Sequence, residues 1–358
     1  MKHQGFALAA AAAVVLAAGS AVAQNGAPVA GETAEGSLAG KTLTFVSWGG
    51  IYQDGQAKAL EAFAAQSGAT ILQDGPTEVA KLKAQVESGN VTWDVVDTGD
   101  LTPYVHCGTL FQELDLSKID VSKVPEGQVG PCSVPAVNYG VVLMYNTETY
   151  GDNPPTSWND FFDTEKFPGL RAVDGTGDPS GPLMELGLIA AGGSTAAMTV
   201  ADIDTGIQKI RDLGEDTIFY KTGAESQQLA ESGEADMIMM WSGRAMEATK
   251  NGAKFAPVWK DWIVAMDQLA IPVGVKDVDG AHAMVNAYLG KTAQETVSEM
   301  TSYSPVNTEA QPKLGEDEAK FLTSSPERLA TAYYQNIPFW VENATVATEK
   351  WNALLSGN

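Results

Sequence analysis

One short phrase occurs twice in this chain. Glu87-Ser88-Gly89 stands just ahead of Asp94-Val95-Val96, and Glu231-Ser232-Gly233 stands just ahead of Asp236-Met237-Ile238. Each time a helical run meets a glycine, turns and feeds an apolar strand. Chance alone can produce such an echo. Taken as a true repeat, it means two similar α/β lobes in one chain, and in such sheets ligands bind beyond the carboxyl ends of strands. That places the loops Asp97–Asp100 and Trp241–Arg244 on facing edges of one cleft.

The rest of the pattern agrees with an α/β chain. Residues 42–47 (TLTFVS) read as a strand, 48–50 as a turn, and 52–67 as a helix with Ala59, Leu60, Phe63 and Ala64 on one face. Strand 69–73, helix 79–88 and strand 93–97 follow, so helices alternate with strands and the sheets are expected to be mainly parallel. Two apolar runs, 137–146 and 268–273, read as crossovers between lobes. Residues 329–355 read as a final helix kinked at Pro338, with Tyr333 and Tyr334 in its core.

The ends bear on location. Lys2 and His3 precede an apolar run from Phe6 to Ala18, and Ala21-Val22-Ala23 forms a small-x-small cleavage signal before Gln24. This is the layout of a secretory signal peptide over residues 1–23; the run is shorter than the ~20 apolar residues a membrane span needs. Residues 24–40 are rich in Gly, Ala and Glu and read as a disordered leader. The expected division is then 41–138 with 271–304 as the first lobe and 139–270 with 305–358 as the second. A net charge of −23 argues against nucleic acid, whose phosphates would repel it. In an oxidising compartment the two cysteines, Cys107 and Cys132, suggest one disulfide, with two buried thiols as the alternative. With one nearby histidine, His106, they make no recognisable zinc pattern.

Catalytic signatures are missing. After the signal peptide only His106 and His282 remain, far apart and without catalytic neighbours. There is no Gly-x-Ser-x-Gly elbow, His-Glu-x-x-His helix or phosphate-binding Gly-x-x-x-x-Gly-Lys-Ser/Thr loop. The run Gly175–Gly181 imitates a dinucleotide fingerprint, but its last glycine falls one residue late and Pro179 disturbs the helix start. It reads as a loop, and neither an enzyme nor a cofactor or metal is expected.

Five segments in order carry a resemblance: Ser47-Trp48-Gly49-Gly50, Pro155-Thr156-Ser157-Trp158, Met239-Met240-Trp241-Ser242-Gly243, Asp267-Gln268-Leu269-Ala270-Ile271-Pro272 and Tyr303-Ser304-Pro305-Val306-Asn307. Across nearly the whole mature chain they resemble the spermidine/putrescine-type solute-binding proteins of ABC importers. The resemblance implies the type II periplasmic binding fold: two α/β lobes, a hinge of crossing strands and a cleft that closes on ligand. It also implies a soluble, monomeric periplasmic receptor whose partners are a small cationic or zwitterionic solute and the permease subunits of an ABC transporter.

Site residues follow from the resemblance one at a time. Trp241 matches an indole that packs on the ligand, Asp267 a carboxylate that grips an ammonium, and Trp48 an aromatic of the first-lobe loop; Tyr52 and Ser180 lie in loops that line the cleft. The sequence departs from the polyamine pattern at three places. Arg244 stands where putrescine-type binders place an acid, Ala265 stands where they carry an aromatic, and the loop 178–181 lacks their second acid. A guanidinium beside a dication costs several kcal/mol, whereas it holds a carboxylate bidentately. Arg244 with Asp267 therefore describes an ω-amino acid such as 4-aminobutyrate, a pattern that resembles the 4-aminobutyrate-binding members of the family. The rival readings are a polyamine on the same fold and a ferric-ion binder, whose adjacent tyrosines Tyr333-Tyr334 resemble; separately, Arg244 can instead pair internally with Asp267 and touch no ligand.

Overall fold

The computed structural model describes residues 1, 27–175, 181–215, 217–324 and 326–357. Nine strands make up its sheet: β1 (Thr42–Val46), β2 (Thr70–Asp74), β3 (Val95–Gly99), β4 (Ser133–Asn146), β5 (Arg171–Asp174), β6 (Ile218–Tyr220), β7 (Met237–Trp241), β8 (Phe255–Ala270) and β9 (Tyr333–Tyr334). Their order is β2-β1-β3-β8-β4-β7-β5-β6, with β9 beside β8.

The two ends of this order are alike. β1 pairs in parallel with β2 and β3, and β5 pairs in parallel with β6 and β7. The repeated phrase has one physical meaning in both. Helix Val79–Ser88 closes on Gly89 (φ 68°) and helix Gly223–Ser232 on Gly233 (φ 69°), each a left-handed cap whose N–H returns to carbonyls of the last turn. A Cβ is disfavoured in that conformation, so glycine is the residue that ends the helix and lets β3 or β7 begin.

The middle of the sheet is made by β4 and β8, both longer than the apolar runs that announced them. β8 reaches back through Lys260 and Asp261, charged residues that hide it from an apolar-run reading. The two strands are antiparallel, with register irregularities between Pro135 and Val137 and between Val141 and Leu143. β3 joins the Asp267–Ala270 end of β8, and β7 joins the Val141–Tyr145 part of β4. Each long strand thus serves both halves. One core gathers Phe45, Leu60, Val95, Met284 and Tyr288, the other Phe161, Leu183, Met239, Trp340 and Trp351, and Tyr139 packs against both. This is the two-lobed α/β architecture, with β4 and β8 running through its waist.

Three expectations are corrected. The stretch 24–40 was expected to be unpacked, yet its described part is tied down: Asn286 Nδ2 donates to Val29 O (2.9 Å), Ala30 N to Asp120 Oδ2 (3.1 Å) and Leu38 N to Ser67 O (2.9 Å). Partners elsewhere in the chain hold it, so it needs no periodicity of its own. The passage from first to second lobe comes later than residue 305. Val306 lies in the first core, and the Lys313 amide donates to Glu299 Oε1 (2.8 Å), whereas Glu318 pairs with Lys250 of the second lobe (2.9 Å). Residues 329–355 are not one kinked helix. Tyr333–Tyr334 form β9 against Ile263 and Val264, and helices Ile337–Glu342 and Ala344–Leu355 follow. Asn336 caps the first of these through the Phe339 N–H, and Pro338 sits inside its first turn, where its missing donor is harmless.

Candidate functional site

The site grows from strand ends. Asp97 lies within β3 and Asp100 just beyond its end, Trp48 lies two residues after β1, and Tyr52 is in the first turn of helix Gly50–Ser67, on the face that also buries Gln56, Ala59, Leu60 and Phe63. β4 contributes Tyr139 and β8 contributes Asp267. From the other lobe, β7 ends at Trp241, and Arg244 occupies the first turn of helix Ser242–Lys250. The disulfide expected between Cys107 and Cys132 is present, with Cα atoms 5.6 Å apart. It ties the segment after Asp100 to the start of β4 and so braces the loop that carries this acid.

On the first-lobe side the carboxylates sit in a polar cage. Tyr52 Oη donates to Asp97 Oδ2 at 2.9 Å, and Gln56 Nε2 donates to the same oxygen. Gln56 is itself oriented by Ser47 Oγ (2.5 Å) and lies 3.1 Å from Tyr288 Oη. Tyr139 Oη donates to Asp267 Oδ1 at 3.3 Å. Asp97 is fully buried and its Oδ1 has no hydrogen-bond partner, while Asp267 keeps 7 % exposure. Burial pushes the Asp97 carboxyl up to about 7 against the hydrogen bonds from Gln56 and Tyr52 that favour its charge. Burial, then the neighbouring Asp97 and Asp100, push Asp267 well above the usual carboxylate range. Burial also raises half-buried Asp100 to about 7.

On the second-lobe side Trp241 and Arg244 lie side by side over Gly223, where an added Cβ would stand 2.7 Å from the Trp241 ring and 3.0 Å from Arg244 Nε. Both side chains are half-buried. Tyr220 meets Trp241 edge-on with ring centres 6.2 Å apart. Among the described residues no ion pair involves Arg244, Asp97, Asp100 or Asp267, so the internal Arg244–Asp267 pairing is not formed.

Tyr303 joins the two sides. Its ring lies 5.3 Å from Tyr52 and 5.5 Å from Tyr139, and it leaves no room for a Cβ on Gly243, which would fall 2.2 Å from Tyr303 Cε1. Burial raises the Tyr303 phenol; the Arg244 charge opposes this, and Asp267 adds to it. An unpaired guanidinium and a buried acid cluster thus share one aromatic neighbour. The arrangement suits a molecule with opposite charges at its ends.

Of the residues singled out from sequence, Tyr52 and Asp267 fall into the acid cage, and Trp241 and Arg244 form the facing wall. Trp48 is 42 % exposed at the rim, beside Asp97. Ser180 lies outside the described residues. In the sequence Asp97 and Asp100 stand only in a loop, Tyr303 opens the return loop without a site role, and Tyr139 and Gln56 carry no assignment. Asp97 carries a visible signal, an acid directly after the apolar pair Val95-Val96; Tyr139 inside an apolar strand carries none. Among the described residues no cluster of His, Cys, Asp and Glu is arranged to hold a metal ion.

The two-lobed α/β fold is that of a solute-binding protein, and comparison with known proteins agrees. Residues 58–330 match the bacterial extracellular solute-binding protein family, and the chain belongs to it. It is 26 % identical over 322 residues to a gamma-aminobutyric acid-binding protein of Pseudomonas aeruginosa, covering 87 % of this chain and 90 % of that one. It is 25 % identical over 324 residues to spermidine/putrescine-binding periplasmic protein 1 of Haemophilus influenzae, covering 85 % and 87 %. The solved structure of a GABA receptor superposes with a TM-score of 0.79 at 33 % identity, covering 88 % of this chain and 98 % of that one.

Proposed function

We propose that this chain is the periplasmic receptor of an ABC importer and that it captures a 4-aminobutyrate-like ω-amino acid by closure of its lobes. The observation that carries this reading is Arg244, a cation without an ion-pair partner among the described residues, set across Tyr303 from the buried carboxylates Asp97 and Asp267. Asp267 takes the ligand ammonium, Arg244 the carboxylate, and Trp241 covers the methylenes. The lobes move about β4 and β8, with 41–138 and 271–304 in one body, extended to about residue 313 by the contacts above, and the remainder in the other. Export is directed by residues 1–23, which are then removed, and the mature receptor works as a monomer with permease subunits, without catalysis. The GABA-binding relative and the GABA receptor structure support the ligand class.

A polyamine is the second reading. It is favoured by the excess of acids at the cleft, Asp97, Asp100 and Asp267 against the one guanidinium of Arg244, and by the spermidine/putrescine-binding relative. The charge of Arg244 weighs against it, because a second ammonium would meet a like charge.

A thermal-shift screen followed by calorimetry separates the two. 4-Aminobutyrate is expected to bind more tightly than putrescine, and butyrate and butylamine, each lacking one charged end, more weakly than 4-aminobutyrate. Tighter binding of putrescine would refute the ω-amino acid assignment, and the absence of any response to amines or amino acids would refute the receptor reading.

A further inference from the structure

The two lobes meet where the return loop crosses the waist. Tyr303 belongs to that loop, and its neighbours along the chain are fixed to the first lobe. Thr301 packs on Gly55 of helix Gly50–Ser67, where an added Cβ would stand 3.0 Å from Thr301 Cγ2, and Val306 lies in the first core. Ser304 is bridged to Asn138 of β4: its N–H donates to Asn138 O at 2.8 Å, and its carbonyl accepts from Asn138 N at 2.9 Å. Further along β4, the Gly140 N–H donates to Ser242 Oγ at 3.1 Å, at the start of helix Ser242–Lys250 of the second lobe. On β4 only Tyr139 separates these two attachments. Beside them the Tyr303 ring lies directly on the backbone of Gly243, where an added Cβ would fall 2.2 Å from Cε1 and 2.7 Å from both Cδ1 and Cζ.

We infer that Gly243 and Tyr303 form the stop that sets how far the lobes close, and that glycine at position 243 thereby fits the closed cleft to a short ω-amino acid. The inference rests on the proposed reading of Arg244 and Asp267 as the two ends of the ligand site. Bending of β4 between Asn138 and Gly140 swings the second lobe's Gly243 onto the first lobe's Tyr303. Arg244 is the next residue after Gly243, and Asp267 accepts a hydrogen bond from Tyr139, whose ring is 5.5 Å from that of Tyr303. The stop therefore fixes the spacing of the two charged ends. Gly243 has no side chain to offer a ligand and acts as a positioning residue.

Tyr303 has little room to yield. Tyr52 meets it edge-on with ring centres 5.3 Å apart, and Tyr139 flanks it. Its backbone is pinned by the bridge to Asn138, by its own N–H donating to Thr301 Oγ1 at 3.3 Å, and by Ser302 before it, which is left-handed (φ 55°) and donates to Ser298 O at 2.7 Å. Ser304 Oγ accepts from the Thr323 N–H at 2.8 Å. The other face of the stop is equally fixed, because β7 pairs with β4 from Trp241 to Met237 and Ser242 is bonded to Gly140. Carbon atoms in contact stay about 3.5 Å apart, against the 2.2 Å available here, so a methyl group at position 243 holds the ring back by about 1.3 Å, roughly the length one methylene adds to a chain. Alanine is a better helix former than glycine, so the first turn of helix Ser242–Lys250 accepts it. The contact with Tyr303 is what the methyl group disturbs.

Calorimetry on the full-length mature protein with two homologous series, 3-aminopropanoate to 6-aminohexanoate and the diamines of matching length, reads the stop. Discrimination over one methylene is worth about 10- to 200-fold. Wild type is expected to favour 4-aminobutyrate over 5-aminopentanoate by at least about 10-fold, and Gly243→Ala to reverse that order. Gly243→Ala/Tyr303→Leu, which makes room for the methyl group, should restore the wild-type order. An unchanged length preference in Gly243→Ala, an equal loss of affinity at every length, or a reversal that persists in the double variant would overturn the stop. If the diamines bind and the ω-amino acids do not, the ligand reading fails, and the stop stands only if the same shift toward longer chains appears among the diamines. If neither series binds, the empty receptor decides. Spin labels at Lys58→Cys and Gln208→Cys, exposed on the first and second lobes, give the distribution of distances between lobes. Its shortest distances should lengthen in Gly243→Ala and return in the double variant; identical distributions in wild type and Gly243→Ala would overturn the stop whatever the ligand is.

Discussion

Removing Arg244 tests the charge-matching idea at its weakest joint. Its guanidinium is half-buried, lies beside Trp241 over Gly223, and pairs with no acid among the described residues. Arg244→Ala therefore breaks no ion pair of the fold, and the melting temperature of the empty receptor is expected to stay close to wild type. Binding is different, because the ligand carboxylate would lose its counter-charge inside a closed cleft. Truncating one partner of a desolvated, hydrogen-bonded charge pair costs about 2–5 kcal/mol. Half-exposure of Arg244 weakens its field, so the lower part of that range applies: about 2–3 kcal/mol, or about 30- to 150-fold in Kd. The assay is calorimetry on wild type and variant with both 4-aminobutyrate and butylamine, which lacks the carboxylate. Wild type should prefer 4-aminobutyrate by roughly the same factor, and the variant should bind the two ligands nearly alike. Arg244→Lys should recover only part of the preference, because an ammonium cannot make the paired N–H contacts of a guanidinium. If Arg244→Ala weakens both ligands equally, or neither, the residue does not read a carboxylate and the ω-amino acid assignment fails.

Two further outcomes follow from the same structure. Burial raises the Asp97, Asp100 and Glu185 carboxyls, each to about 7, above their values in the unfolded chain. The folded state therefore holds protons that the unfolded state gives up, and stability of the empty receptor should fall as pH rises from about 4 to about 7 and level off beyond; a melting temperature that rises between about pH 5 and about pH 7 would contradict this. The Cys107–Cys132 bridge encloses a 25-residue separation, and by loop entropy its removal in a Cys107→Ser, Cys132→Ser double variant should cost about 3 kcal/mol; an unchanged urea midpoint would show that the bridge adds nothing to the fold.

How much of this was legible in the sequence depends on whether each signal is local. The cap at Gly89 and Gly233 is local, since a helix end needs a left-handed residue, and so the two-lobe repeat could be read directly. Trp241, Arg244 and Asp267 stood at strand ends and in segments with a family likeness. Tyr303 lies far along the chain from Tyr52 and Tyr139, and only the folded waist brings its ring within 5.5 Å of each of theirs. Asp97 looked like part of a loop, although Tyr52 and Gln56, one helical turn apart, converge on its carboxylate. The leader and the final segment misled for a common reason: Asn286 and Asp120 hold one, and β8 pairs with the other, so neither carries its structure in its own periodicity.

The placement of the acid cage also explains how a small solute can move whole lobes. Asp267 and Tyr139 belong to β8 and β4, the strands about which the lobes are proposed to turn, and the neighbouring acid Asp97 lies within β3 of the first lobe. Arg244 and Trp241 close the β7 end of the second. A ligand held at both ends bonds to the waist and to the far wall at once, which the open form does not allow. Its preference for the closed state then equals the contacts made only on closure. Shifting an equilibrium from 1:99 to 99:1 takes about 5.5 kcal/mol of such preference. The Arg244 contact alone, at about 2–3 kcal/mol, supplies about half of that. Trp241 over the methylenes and the ammonium in the acid cage must supply the rest. A ligand lacking either charged end should therefore bind mainly to open receptors and leave the lobes apart.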